Sequence, residues 1–100
     1  GNFMKKTTYY QKLQHPNWQR KRLEIMQRDN FTCALCNDKE TQLHVHHVTY
    51  EKNTDPWDYS IWNLVTICRN CHDTLHSSSE EEKVMISMNL WFYLFVKRGY

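Results

Sequence analysis

Two kinds of residue in this 100-residue chain have types and spacing that could do chemistry: four cysteines and a cluster of histidines. The cysteines form two pairs of equal spacing, Cys33-x-x-Cys36 and Cys68-x-x-Cys71. Two thiolates from one tight turn and two from another are what a tetrahedral Zn²⁺ requires. Disulfides are a competing use of four cysteines, and a thioredoxin-like redox pair is a third. No apolar segment after Lys5 and Lys6 reads as a secretory signal. That favours reduced thiols, a cytoplasmic setting and a shared structural zinc. The interval between Cys36 and Cys68 exceeds ordinary zinc-ribbon spacing, so something has been placed between the two halves of the site.

The insertion and its flank hold the histidines. His46, His47, His72 and His76 account for four of the six in the chain. His72 and His76 are four apart, so on a helix their rings share one face, one turn apart. His46 and His47 close a strand-like run, Leu43-His44-Val45-His46-His47-Val48. A lone histidine is more often a surface or core residue. Four at these spacings, with cysteine pairs at their flanks, point instead to a divalent ion. Three imidazoles leave open positions on such an ion, which separates a catalytic site from a closed structural one. His44 and His15 read as surface residues. Neighbours on a regular strand face opposite sides, so His46 and His47 can address one phosphate only where the strand twists, bulges or ends.

The elements that must position these groups follow from pattern and capping. Gly1-Asn2-Phe3 ahead of Met4 reads as a cloning remnant, and residues 4–16 as a polar, irregular extension ending at a Pro16 suited to a first helical turn. Residues 17–100 then form one domain. A helix is predicted over 17–29, with Trp18, Leu23, Ile25 and Met26 apolar and Asn30 ending it. Residues 31–38 form a knuckle carrying the first cysteine pair, and residues 42–48 a strand. Residues 49–62 are a loop rich in turn-formers and aromatics. Residues 64–67 are a second strand, antiparallel to the first if the loop doubles back. Asn70 can cap the next helix, with Asp73 in its first turn. Ser79-x-x-Glu82 is a capping box opening a last helix over 80–97. Its stripe of Val84, Met85, Met88, Trp91, Phe92 and Phe95 is predicted to pack on the Trp18 helix, with a weak homodimer contact as its other use. The fold class is α+β: a two-stranded antiparallel hairpin and helix, flanked by N- and C-terminal helices.

Charge is uneven along the chain. Residues 1–36 carry seven Lys/Arg against two acids, residues 37–82 three against nine, and residues 83–100 three against none. A basic N-terminal third suits a polyanion, though a solvated helix face would look the same. The acidic middle needs a metal if phosphate is to approach it. Fourteen per cent aromatics exclude a disordered chain. No apolar run is long enough to span a membrane.

The order of knuckle, strand, loop, strand and helix, with a cysteine pair at each end, looks like a treble-clef finger. With His46-His47, Asn63 and His72-x-x-x-His76 inserted, the chain resembles the His-Asn-His (HNH) endonucleases of the ββα-metal fold. The motif core covers residues 31–76, and the preceding Trp18, Arg22, Ile25 and Arg28-Asp29 resemble the lead-in of bacterial and phage members. The resemblance implies His47 as general base and His46, His72 and His76 as ligands of one catalytic divalent ion. Asn63 would tie the loop to the base; a turn amide before a strand is its plain alternative. Many relatives have Asp where His46 stands. An all-nitrogen set favours Zn²⁺, Ni²⁺, Co²⁺ or Mn²⁺ over Mg²⁺. The implied activity is hydrolysis of double-stranded DNA to 5′-phosphate and 3′-hydroxyl ends. Arg20, Lys21, Arg22 and Arg28 are candidate backbone contacts, with Arg69 near the scissile phosphate. So small a domain reads little sequence, leaving specificity to a partner subunit. A non-catalytic zinc module binding DNA or RNA is the alternative, and a structural interaction domain docking through the last helix a further one.

Overall fold

The computed structural model describes residues 8–99; Gly1-Asn2-Phe3, Met4 and the rest of the extension up to residue 7 lie outside the described residues, as does Tyr100. In chain order come α1 (Tyr9–Leu13), α2 (Pro16–Arg28), β1 (Leu43–His47), 3-10 turns at Pro56–Asp58 and Ile61–Asn63, β2 (Leu64–Cys68), α3 (Arg69–Ser77) and α4 (Glu80–Lys97). The architecture is α+β, built on one antiparallel hairpin with flanking helices.

β2 is buried along its whole length and sorts the core by alternation. Leu64 joins Trp18, Ile25 and Tyr59 on the α2 side. Val65 and Ile67 join Cys33, Leu75, Leu90 and Leu94 on the side of α3 and α4. The register pairs His46 with Val65 and His47 with Leu64. The two histidines therefore start from opposite faces, as strand geometry demands.

Asp29 fastens the layers together. It is 1% exposed. Its carboxylate accepts from Arg28 Nε and Nη2 at 2.9 Å each, from the Thr66 amide at 2.9 Å and from the Tyr93 hydroxyl at 3.0 Å. Arg28 also donates to the carbonyls of Ile61 and Leu64. A buried carboxylate is tolerated when its oxygens are this fully occupied.

Three expectations are corrected. Residues 4–16 are not irregular throughout: Thr8 and Gln11 form a capping box that opens α1, and Lys12 reaches Asp55 at 2.7 Å. Asn70 does not cap α3. Cys68 does, its sulfur accepting from the Cys71 amide, so the second cysteine pair starts the helix. The stripe of α4 does not pack on the Trp18 helix. Leu90 and Leu94 seat α4 on α3 and the cysteine knuckle, while Met85, Met88, Phe92 and Phe95 are exposed.

Candidate metal centre and catalytic cavity

The knuckle is set by backbone geometry. The Cys33 amide donates to the Asp38 carbonyl and the Asn37 amide to Cys33, with Asn37 in the left-handed region at φ 66°. The Ala34 amide donates to Thr66, stitching the knuckle to β2. The result places one sulfur from each of Cys33, Cys36, Cys68 and Cys71 within 4.8 Å of one another. Cys36 and Cys68 stand 3.6 Å apart, near the roughly 3.8 Å edge of four sulfurs at about 2.3 Å from one Zn²⁺. Burial alone would raise the Cys33 thiol, yet amides of Cys68, Cys36 and Leu35 hold it below its ordinary value. Burial, with three facing sulfurs, raises Cys71. Four crowded thiols of this kind are relieved by a cation among them.

On the other flank of the hairpin lies a cavity of about 590 Å³ whose walls include His44, His46, His47, His72 and His76. Consecutive strand residues can line one cavity because it runs along the free edge of β1, where side chains from both faces lean in. The strand also ends at His47. Both features resolve the conflict between adjacent histidines.

His47 is the most constrained of the five. Trp18 stacks on its ring at 5.3 Å, and Tyr59 meets it edge-on at 4.3 Å. Its Nε2 is buried with no hydrogen-bond partner of good geometry, and its Nδ1 faces the Tyr9 hydroxyl at 3.3 Å. Burial lowers the imidazole below its ordinary value, against the raising pull of the Pro56 carbonyl and Glu51. Asn63 is 6% exposed and holds the chain just beyond β1. Its Oδ1 accepts from the Thr49 amide, and its Nδ2 donates to the Thr49 carbonyl and Glu51, each at 2.8 Å. Glu51 in turn is bound through backbone to the Tyr59 hydroxyl. The loop that supports His47 is thereby closed by the Asn63 amide and the Tyr59 hydroxyl.

His72 and His76 face each other across one turn of α3, Nε2 to Nε2, at 3.0 Å. Two nitrogens about 2.0–2.1 Å from one ion stand about 3 Å apart, so the pair already has the spacing of a shared ligand edge. His46 is edge-on to His72, with ring centres 6.5 Å apart. Among the described residues, only the cysteines bring three or more candidate ligand atoms within 4.8 Å. The three imidazoles thus share a cavity without converging on a point. Burial and the neighbouring imidazoles lower His46 to about 4, and burial with His76 and His44 lowers His72. Neutral imidazoles are the form that binds metal, and the His72–His76 pair is the edge of the set that already stands at ligand spacing.

Residues 32–78 match the family model described as HNH endonuclease. The match takes in 47 of the 100 residues. No curated protein and no solved structure shows significant similarity to the chain. The family match suggests nuclease and DNA-binding chemistry, and it covers both cysteine pairs and all the clustered histidines.

Around the HNH segment the structure separates the basic residues expected to meet DNA. Arg28 is a correction: its side chain is 14% exposed and spent on Asp29 and two carbonyls. Arg22 lines the histidine cavity, and Arg22 and Arg69 both act on His44. Arg20 and Lys21 lie apart from the cavity, in a shallow groove with Trp57. His44 was expected at the surface. It stacks on His72 at 4.9 Å, and the spacing i, i+2 to His46 is the signal that could have placed it there. Tyr9 and Trp18 also reach the cavity from helices outside the match.

Proposed function

We propose that the chain is a metal-dependent endonuclease that hydrolyses DNA phosphodiester bonds, with His47 as general base. The observation that carries this is the placement of His47: one nitrogen is buried, and the other faces the Tyr9 hydroxyl in the wall of a cavity that also holds the His72–His76 edge. A proton on the buried Nε2 leaves the Nδ1 lone pair facing the cavity, where it takes a proton from an attacking water. Trp18, Tyr59 and the Asn63-clasped loop fix the ring for that transfer. A divalent ion held by His46, His72 and His76 would supply positive charge to the phosphate and the departing 3′ oxygen. Arg22 and Arg69 hold the DNA backbone at the His44 end of the cavity. Arg20 and Lys21 extend that contact without reading sequence. Products are 5′-phosphate and 3′-hydroxyl ends. Zinc at the four cysteines is structural. The reading treats residues 17–100 as one nuclease domain, with α1 laid over its cavity, and leaves sequence choice to a partner subunit.

The test is nicking of supercoiled plasmid with Mg²⁺, Mn²⁺, Co²⁺, Ni²⁺ and Zn²⁺ in turn. Wild type should nick with at least one ion and stop on chelation. His47→Ala should lose about 10²–10⁴-fold in rate while binding metal and DNA as before. The competing reading, a non-catalytic zinc module binding DNA or RNA, draws on the cysteines being the converged donor set. DNA bound but left intact with every ion would decide for it.

A further inference from the structure

The ring contacts in the histidine cavity divide at His47. Tyr9, Trp18 and Tyr59 all meet the His47 ring, whereas His44, His46 and His76 all meet His72. One end of the cavity is therefore aromatic and the other imidazole, with His47 at the junction. Charge divides in the same way. Arg22 and Arg69 act on His44 at the imidazole end. At the aromatic end Glu51 acts on His47, and Lys12 of α1 is spent on Asp55. A phosphate suits the first end; an uncharged, flat, apolar group suits the second. At about 590 Å³ the whole space is in the range that encloses a drug-sized ligand, more than a phosphate fills.

Trp18 and Tyr59 are buried, so their rings are already used. Tyr9 and Tyr50 line the same cavity yet stand 52 and 78% exposed. The backbone on both sides of Tyr50 is fixed. Asn63 clasps the amide and the carbonyl of Thr49 at 2.8 Å each, and the Tyr59 hydroxyl bonds the amide and the carbonyl of Glu51. A braced backbone thus holds an aromatic ring at the cavity mouth with most of its surface open. We propose that this end of the cavity takes an unpaired DNA base, stacked on Tyr50 beside Tyr9, on the nucleotide whose phosphate sits between His47 and the His72–His76 pair. The placement of that phosphate rests on the proposed nuclease activity; the base site rests on the aromatic wall. Bases within a duplex have both faces covered by their neighbours, so a protein ring can claim one only where stacking is interrupted. The substrate class that follows is DNA with a single-stranded stretch, a gap or a flipped nucleotide beside the bond that is cut.

Fluorescence anisotropy of labelled oligonucleotides tests this on the full chain with no divalent ion added, so that binding is read without cleavage. The probes are a short oligothymidylate and the same strand with abasic sites at its centre, which keeps every phosphate. Wild type should bind the intact strand at least about fivefold more tightly, the low end for one base stacked on an aromatic ring. Tyr50→Ala should abolish that preference, leave the abasic strand bound as before and leave the salt slope unchanged, because no phosphate contact is lost. Tyr50→Trp should retain the preference. Arg22→Ala should instead weaken both strands alike and flatten the slope by about 0.7. Equal affinity of wild type for the two strands overturns the proposal, as does binding of neither. A Tyr50→Ala chain that keeps the preference overturns it too. Plasmid nicking reports separately on the nuclease reading. A chain that prefers the intact strand but cuts nothing keeps the base site and loses the nuclease; one that nicks plasmid without the preference loses only the base site.

Discussion

The cysteine tetrad and the histidine cavity sit on opposite flanks of one hairpin and are built to different tolerances. Four sulfurs are brought within 4.8 Å by backbone turns, and amides of Leu35 and Cys71 point at two of them. Cys33 and Cys68 are at most 1% exposed. The histidines hang from two elements, β1 and α3, around an open space, and among them one pair, His72 and His76, stands at ligand spacing. A closed set of four donors holds an ion for stability; an incomplete set with room beside it can admit a phosphate. The difference teaches which metal should be removable without unfolding the chain.

The largest effect expected from breaking this comparison is on the tetrad. Cys33→Ser removes a buried ligand whose backbone also anchors the knuckle to Asp38. Structural zinc supplies on the order of 10–16 kcal/mol in finger peptides, more than the typical total stability of a small domain. The variant should bind no zinc at this site and show no cooperative melt by circular dichroism. A Cys33→Ser chain that melts like wild type would show that the tetrad is not structural.

The matching change in the cavity should behave in the opposite way. His76 is exposed. His76→Ala should leave the melt and the tetrad zinc unchanged. Binding of a second ion, read by calorimetry with Mn²⁺ or Co²⁺, should weaken on the order of tenfold or more. Equal affinity in the variant would detach the His72–His76 pair from metal binding.

How much of this contrast the sequence carried depends on how local each cause is. The cysteine spacing, the hairpin and the Ser79–Glu82 cap need only near neighbours, and all were legible. Cys68 displaced Asn70 as cap through one N–H···S contact, which a side-chain preference does not encode. Arg28 read as a phosphate contact because its partners, the carbonyls of Ile61 and Leu64, lie 33 and 36 residues away. The outer face of α4 read as core because apolar periodicity does not say which of two apolar faces meets the domain. His44 was passed over although alternation alone sets it beside His46. Tyr9 could not be placed from the sequence at all, since a five-residue helix gives no periodic signal.

The pH dependence sharpens the catalytic half of the comparison. In the proposed role of base, His47 would act only when neutral, and burial holds its pKa below the ordinary value of about 6.5. Protonation therefore sets in on the acid side of that value, so the cleavage rate should be flat from about pH 7 to 8 and fall only below about 6.5. Single-turnover rates at saturating metal isolate this from competition between protons and the ion at His46, His72 and His76. An inflection above 7 would assign the base to another group.

The smallest expected effect is at Tyr9, whose hydroxyl stands 3.3 Å from the nitrogen assigned to proton transfer. A neutral hydroxyl donating to Nδ1 occupies the lone pair that water must reach, and it favours the unprotonated ring. Tyr9→Phe keeps the aromatic contact while removing that competitor. At about 1 kcal/mol or less for a long, half-exposed hydrogen bond, the rate at pH 8 should rise by no more than about fivefold. The acid inflection should move slightly upward at the same time, because the neutral ring loses a stabilising donor. A fall of tenfold or more would instead place the hydroxyl among the groups that hold the water. α1 would then be part of the catalytic wall rather than a cover resting on it.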